Sequence, residues 1–243
     1  CRRIRIPIYN AFPLEGPNNT GVALAAVPVT LMTVVVGAYT ASVMGVFFAV
    51  FGMYPTSPVE SVPTDTVGFM LYFISTAILP AIVEELMFRG AILQSLRRFG
   101  DTFALFVSSL LFGLTHGNLI QAPMAFLTGL AIGYFVLRTG SLRTGMFIHF
   151  VNNALAVVLS AVGNSLSYDA SALLTNGVYA LYIIAGLIAL AFLLKHYGNM
   201  FQLHRSNTVM TMRGKLFSFF STGSMVVLLI LMAVTTSRYF LII

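Results

Sequence analysis

Seven long apolar runs divide this chain and constrain its fold more than any other feature. They extend from Thr20 to Phe51, Val67 to Phe88, Thr102 to His116, Ala122 to Leu137, Gly145 to Val162, Gly177 to Leu194 and Phe217 to Thr236. A helix needs roughly 20 apolar residues to cross about 30 Å of hydrocarbon, so each run reads as a span, the first overlong and the third and fourth short. With 58% hydrophobic and 8% charged residues, the chain cannot furnish a water-facing surface, because soluble domains carry about 25% charge. The sequence predicts an all-α, polytopic transmembrane helical bundle. About seven helices span, in one membrane domain over residues 1–243. The chain opens on Cys1, its only cysteine, rather than on Met, which leaves room for a preceding segment.

The cations test this division independently. With a cytoplasmic N-terminus, the inner segments hold Arg2, Arg3, Arg5, Arg89, Arg97, Arg98, Arg138, Arg143, Lys195, Arg205, Arg213 and Lys215, and of the 13 cations only Arg238 falls outside. That is the positive-inside pattern. Its natural neighbour is anionic lipid, and nucleic acid is not needed to explain the net charge of +6. Prolines break the segments between runs. Pro7, Pro13 and Pro17 predict an irregular N-terminal strip, and Pro55, Pro58 and Pro63 an outer loop. On the fourth run Ala125, Gly129 and Gly133 recur every four residues, a stripe that lets another helix approach closely.

Ionisable groups inside hydrocarbon cost a few kcal/mol each even on the mildest scale. Four stand out: Glu84, Glu85, His116 and His149. Glu85 precedes Arg89 by four residues, the favourable order for an ion pair on one helix face. Glu84 lies about 100° around the helix from Glu85 and is the freer carboxylate. His149 and Asn153 share a face, as do Phe112 and His116, so that a phenyl ring can pack beneath an imidazole. The polar stretch from Arg89 to Arg98 predicts that the second helix projects past the bilayer before turning at Gly100 and Asp101. The third helix then starts low enough to bring His116 level with the other groups.

These residues form three ordered motifs: Glu84-Glu85-Leu86-Met87-Phe88-Arg89, Phe112-Gly113-Leu114-Thr115-His116, and His149-Phe150-Val151-Asn152-Asn153. They resemble the E-E-x-x-x-R, F-x-x-x-H and H-x-x-x-N motifs of the intramembrane CAAX-protease and bacteriocin-processing family, which includes the type II prenyl endopeptidase also called Ras-converting enzyme. The likeness covers about residues 67–162. It implies an eight-helix bundle and an endopeptidase acting on a membrane-associated peptide or lipidated protein. By that resemblance Glu84 and His116 activate water, His149 and Asn153 stabilise the oxyanion, and Glu85, Arg89 and Phe112 are supporting residues. It further implies a prokaryotic plasma-membrane protein with its site near the cytoplasmic leaflet.

Other intramembrane chemistries fit the inventory less well. An aspartyl site needs two membrane aspartates, whereas Asp65, Asp101 and Asp169 fall between runs. The H-E-x-x-H helix is absent, and Gly163-Asn164-Ser165 lies in an outer loop rather than on a serine-bearing span. No cofactor is expected. The alternative is a zinc site built from Glu84, His116 and His149. The alternative to an enzyme is a catalytically silent scaffold or bacteriocin-immunity protein of the same fold.

Overall fold

The computed structural model describes residues 8–56, 61–204 and 209–242. Arg2, Arg3, Arg5, Pro7, Pro58 and Arg205 lie outside the described residues. Among the described residues eight helices make up the bundle: α1 (Thr20–Ala49), α2 (Thr66–Phe99), α3 (Asp101–Thr115), α4 (Gln121–Thr139), α5 (Leu142–Gly163), α6 (Tyr168–His196), α7 (Met212–Phe220) and α8 (Gly223–Ser237). One further helical turn, Ile8–Ala11, interrupts the proline-rich N-terminal strip. The fold is an all-α polytopic membrane bundle. Its one addition is an antiparallel strand pair, β1 (Met53–Pro55) with β2 (Phe240–Ile242), inside a segment expected to be loop.

Among the described residues five helices, α1, α2, α4, α5 and α6, are long and apolar enough to cross a membrane, or six if α7 and α8 count as one bent span. The expected count of about seven is thus approximate, and two runs account for the difference. The third run folds as a helix of 15 residues, about 22 Å at 1.5 Å per residue and short of the hydrocarbon thickness. The last run is broken, α7 and α8 meeting at 77°. Ser221, Thr222 and Gly223 lie at the break, where the Thr222 hydroxyl donates to the Phe219 carbonyl at 2.9 Å and so competes with helix continuation.

Caps account for much of the remaining punctuation. Asn19 accepts from the Val22 amide at the start of α1, and Asp65 from the Gly68 amide at the start of α2. Asp101 and Asp169 stand in the first turns of α3 and α6, where a carboxylate suits the helix dipole. The aspartates excluded as catalytic thus serve helix starts. As expected, α2 continues past the second run to Phe99 and turns at Gly100, whose φ of 108° favours glycine.

The α3 to α4 turn would be costly in lipid unless its polar groups were satisfied locally. They are. Asn118, buried, accepts from the Gln121 amide at 2.8 Å while its own amide donates to the His116 carbonyl and the Gln121 side chain. Helix α4 is the centre of the packing, facing α1 on one side and α3 on another. A Cβ at Gly37 of α1 would stand 2.5 Å from the Met124 Cα of α4. At Gly133, in the small-residue stripe, it would stand 2.7 Å from Leu105 of α3.

One end of the bundle gathers the basic segments. Asp101 donates its amide to His204, Arg138 donates to the Gln202 carbonyl, Lys215 to the Phe99 carbonyl, and the Leu142 amide to Pro13. The α2 to α3 turn, the α4 to α5 turn, the basic loop and the N-terminal strip are therefore neighbours. Arg89 is the exception. Counted from the sequence among the inner cations, it is instead wholly buried.

The glycine contacts predict a contrast between two substitutions on one helix. Gly37→Ala should lower the thermal unfolding midpoint in detergent by an amount equivalent to about 1–3 kcal/mol through overpacking. Gly45→Ala, with nothing within 4 Å of its new methyl, should be neutral or mildly stabilising. Equal midpoints for the two variants would contradict the α1 to α4 packing.

Candidate active site

The site is built around two irregular turns of α2. The backbone widens to π geometry at Ile74–Ile78 and again at Leu86–Leu93, on either side of Pro80 and the paired glutamates. Pro80 has no N–H to offer the Thr76 carbonyl four residues back. The Asn153 amide of α5 donates to that oxygen at 3.1 Å. In the second π turn the Ser108 hydroxyl donates to the Phe88 carbonyl and the Gln94 amide to the Arg89 carbonyl. The departures from α geometry are thus answered by side chains from α3, α5 and α2 itself.

Glu84 and Glu85 leave this helix in different directions. Glu85 is fully buried, whereas the Glu84 side chain keeps 33% of its exposure and lines a cavity. Arg89 donates to Glu85 Oε1 at 2.7 Å and to the Gly129 carbonyl at 3.3 Å, and its guanidinium carbon sits 4.2 Å from the centre of the Phe112 ring. The family resemblance makes this pair supporting residues. In the structure it ties α2 to α3 and α4 in the interior, and the small-residue stripe makes room for it: a Cβ at Gly129 would meet Arg89 Nη2 at 3.3 Å and Phe112 at 3.1 Å.

The two imidazoles pack against the same phenyl ring. Phe112 meets His116 edge-on with centroids 5.0 Å apart, and His149 likewise at 5.7 Å. His116 ends α3, its Nδ1 2.8 Å from the Phe112 carbonyl. His149, almost fully buried, has Nδ1 2.9 Å from Glu85 Oε1 and Nε2 3.9 Å from Glu84 Oε2. Among the described residues no hydrogen bond joins Glu84 to His116.

Glu84, Phe112, His116, His149 and Asn153 all line one cavity of about 580 Å³ between α2, α3, α4 and α5. Glu85 and Arg89 stand behind it. The cavity also takes in polar groups that sequence reasoning passed over: Thr76, Gln121, Thr128 and Asn152. Asn152 donates to the Asn153 side-chain oxygen at 3.0 Å. Gln121, Ala125, Thr128 and Ile132 recur at the three- and four-residue spacing of one helix face, a signal that would have found Gln121 and Thr128. Among the described residues no group of three His, Cys, Asp or Glu side chains that could hold a metal ion is found.

Residues 66–155 match the family described as Type II CAAX prenyl endopeptidase Rce1-like. This stretch carries all three motifs, and the resemblance read from them holds. Those 90 of the chain's 243 residues are thus similar to a family named for CAAX-type endopeptidases. No curated protein and no solved structure gives a significant match.

The buried ion pair predicts a non-additive mutant cycle. Arg89→Met leaves Glu85 uncompensated and should destabilise the protein by about 3–5 kcal/mol, whereas Arg89→Met with Glu85→Leu should recover much of that loss. Detergent unfolding of the two variants checks this, and an Arg89→Met protein as stable as wild type would contradict it.

Proposed function

We propose that the protein is an intramembrane endopeptidase that hydrolyses a peptide bond near the C-terminus or membrane-proximal part of a peptide or lipidated protein. The observation that carries this reading is the convergence of Glu84, His116, His149 and Asn153, from three separate motifs, on a single cavity. Among the described residues Glu84 is the cavity's only carboxylate, and together with His116 it takes a proton from water as that water attacks the scissile carbonyl, then returns it to the amine that leaves as the C–N bond breaks. His149 and the second N–H of the Asn153 amide donate to the developing oxyanion. The bond from Asn153 to Thr76 supports this role, since it holds the carboxamide in place before substrate arrives. No metal enters the scheme.

Membrane orientation follows from the gathering of basic segments at one end of the bundle. We place that end, with the N-terminal strip, in the cytoplasm, and open the site toward the cytoplasmic leaflet. Peptides already lying in that leaflet are the natural clients.

The test is cleavage of a quenched peptide library by purified protein, compared with Glu84→Gln, His116→Ala and, as a control, His196→Ala on the exposed last turn of α6. The two site variants should each lose at least about 10²-fold in turnover, and His196→Ala should match wild type. Cleavage by Glu84→Gln at the wild-type rate would defeat the mechanism. Activity should persist after 1,10-phenanthroline treatment; loss reversed by added zinc would replace the metal-free scheme.

A further inference from the structure

His149 and His116 are both held at Nδ1, but by different means. His116 Nδ1 faces the carbonyl of Phe112 in its own helix, a local bond at 2.8 Å. His149 Nδ1 faces a carboxylate from another helix, Glu85 Oε1, at 2.9 Å. That oxygen already accepts from Arg89 at 2.7 Å. An oxygen accepting from a guanidinium is an acceptor, so the imidazole nitrogen facing it carries the hydrogen.

Three further features make this contact a built one. Arg89 is itself fixed by the Gly129 carbonyl and by the Phe112 ring. The edge of that ring meets His149 at 87°. Gly145, one turn before His149 on α5, supplies space: a Cβ there would stand 2.7 Å from Glu85 Oε2 and displace the carboxylate.

We propose that Glu85 is a positioning residue that holds His149 by its Nδ1–H and so presents Nε2 to Glu84 and the cavity. Glu85 does not reach the cavity, and it acts through the imidazole. The paired glutamates thereby divide the work, one facing the reacting groups and the other setting the direction of the ring between them; with a carboxylate at Nδ1–H the ring can carry a second hydrogen at Nε2, the one it donates to the oxyanion. This rests on the hydrolytic reading above for its consequence in turnover, though not for its geometry.

The experiment is nitrogen NMR of the full chain in detergent with ¹⁵N-labelled histidine, the His149 signals being assigned by their loss in His149→Gln. In wild type, His149 Nδ1 should carry hydrogen. In Glu85→Gln the carboxamide oxygen can still accept from Arg89 and Nδ1, but without the negative charge its bond to Nδ1–H weakens, so the His149 Nδ1–H resonance should move while that of His116 stays unchanged. Turnover should then fall by up to about 10²-fold with KM little altered. An unmoved His149 Nδ1–H resonance in Glu85→Gln would overturn the proposal.

Glu85→Asp keeps a charge for Arg89 while withdrawing the carboxylate from Nδ1, and carries the test if the glutamine variant does not fold. Its His149 Nδ1–H resonance should move and that of His116 should not; an unmoved His149 resonance overturns the proposal. Because the spectra need no substrate, a wild-type protein that cleaves nothing would count against the hydrolytic reading alone, with the positioning role decided by the resonances.

Discussion

A guanidinium sealed inside a membrane bundle dominates the energetics of this protein. Arg89 and Glu85 are both fully buried, and burial of either charge alone would be prohibitive. Their pairing is therefore a condition for the fold. Even together they are incompletely satisfied, since Glu85 Oε2 and Arg89 Nε lack hydrogen-bond partners. Such a pair is a weak source of net stability. Its value lies in direction: from one point the guanidinium reaches a carboxylate on α2, a carbonyl on α4 and a ring on α3.

The rest of the site follows from that anchor. Close approach of α4 requires the glycines of the small-residue stripe, and close approach of α5 requires Gly145. Once these helices are in place, Phe112 lies between the cation and both imidazoles. The irregular turns of α2 have a related effect. Side chains from neighbouring helices bond to carbonyls in these turns, Ser108 from α3 and Asn153 from α5. Local departures from helical regularity thus become interhelical bonds.

Much of this was legible in the chain because lipid makes polar residues conspicuous. Glu84, Glu85, His116 and His149 stood out by their cost in an apolar run and Asn153 by sharing a face with His149, and the structure brings all of these but Glu85 to one cavity. The α2 extension and the Gly100 turn were readable from amphipathic residues followed by glycine. Other features were not readable. Arg89 was readable as a topology charge and as a partner for Glu85, but the four-residue spacing that announces the pair does not reveal that both side chains turn fully inward. The π turns use residues no different from those of an α-helix. Thr128 and Gln121 are polar but uncharged, so they cost too little to attract notice. The β1 to β2 pairing joins segments remote in sequence, a contact that no local pattern announces.

The Pro80, Thr76 and Asn153 arrangement makes one helix dependent on another. A backbone oxygen deprived of its donor four residues on by Pro80 is served by a carboxamide from α5. An alanine in place of Pro80 would restore a competing donor and free the asparagine to rotate, while loss of the asparagine would strand a carbonyl in a low-dielectric interior.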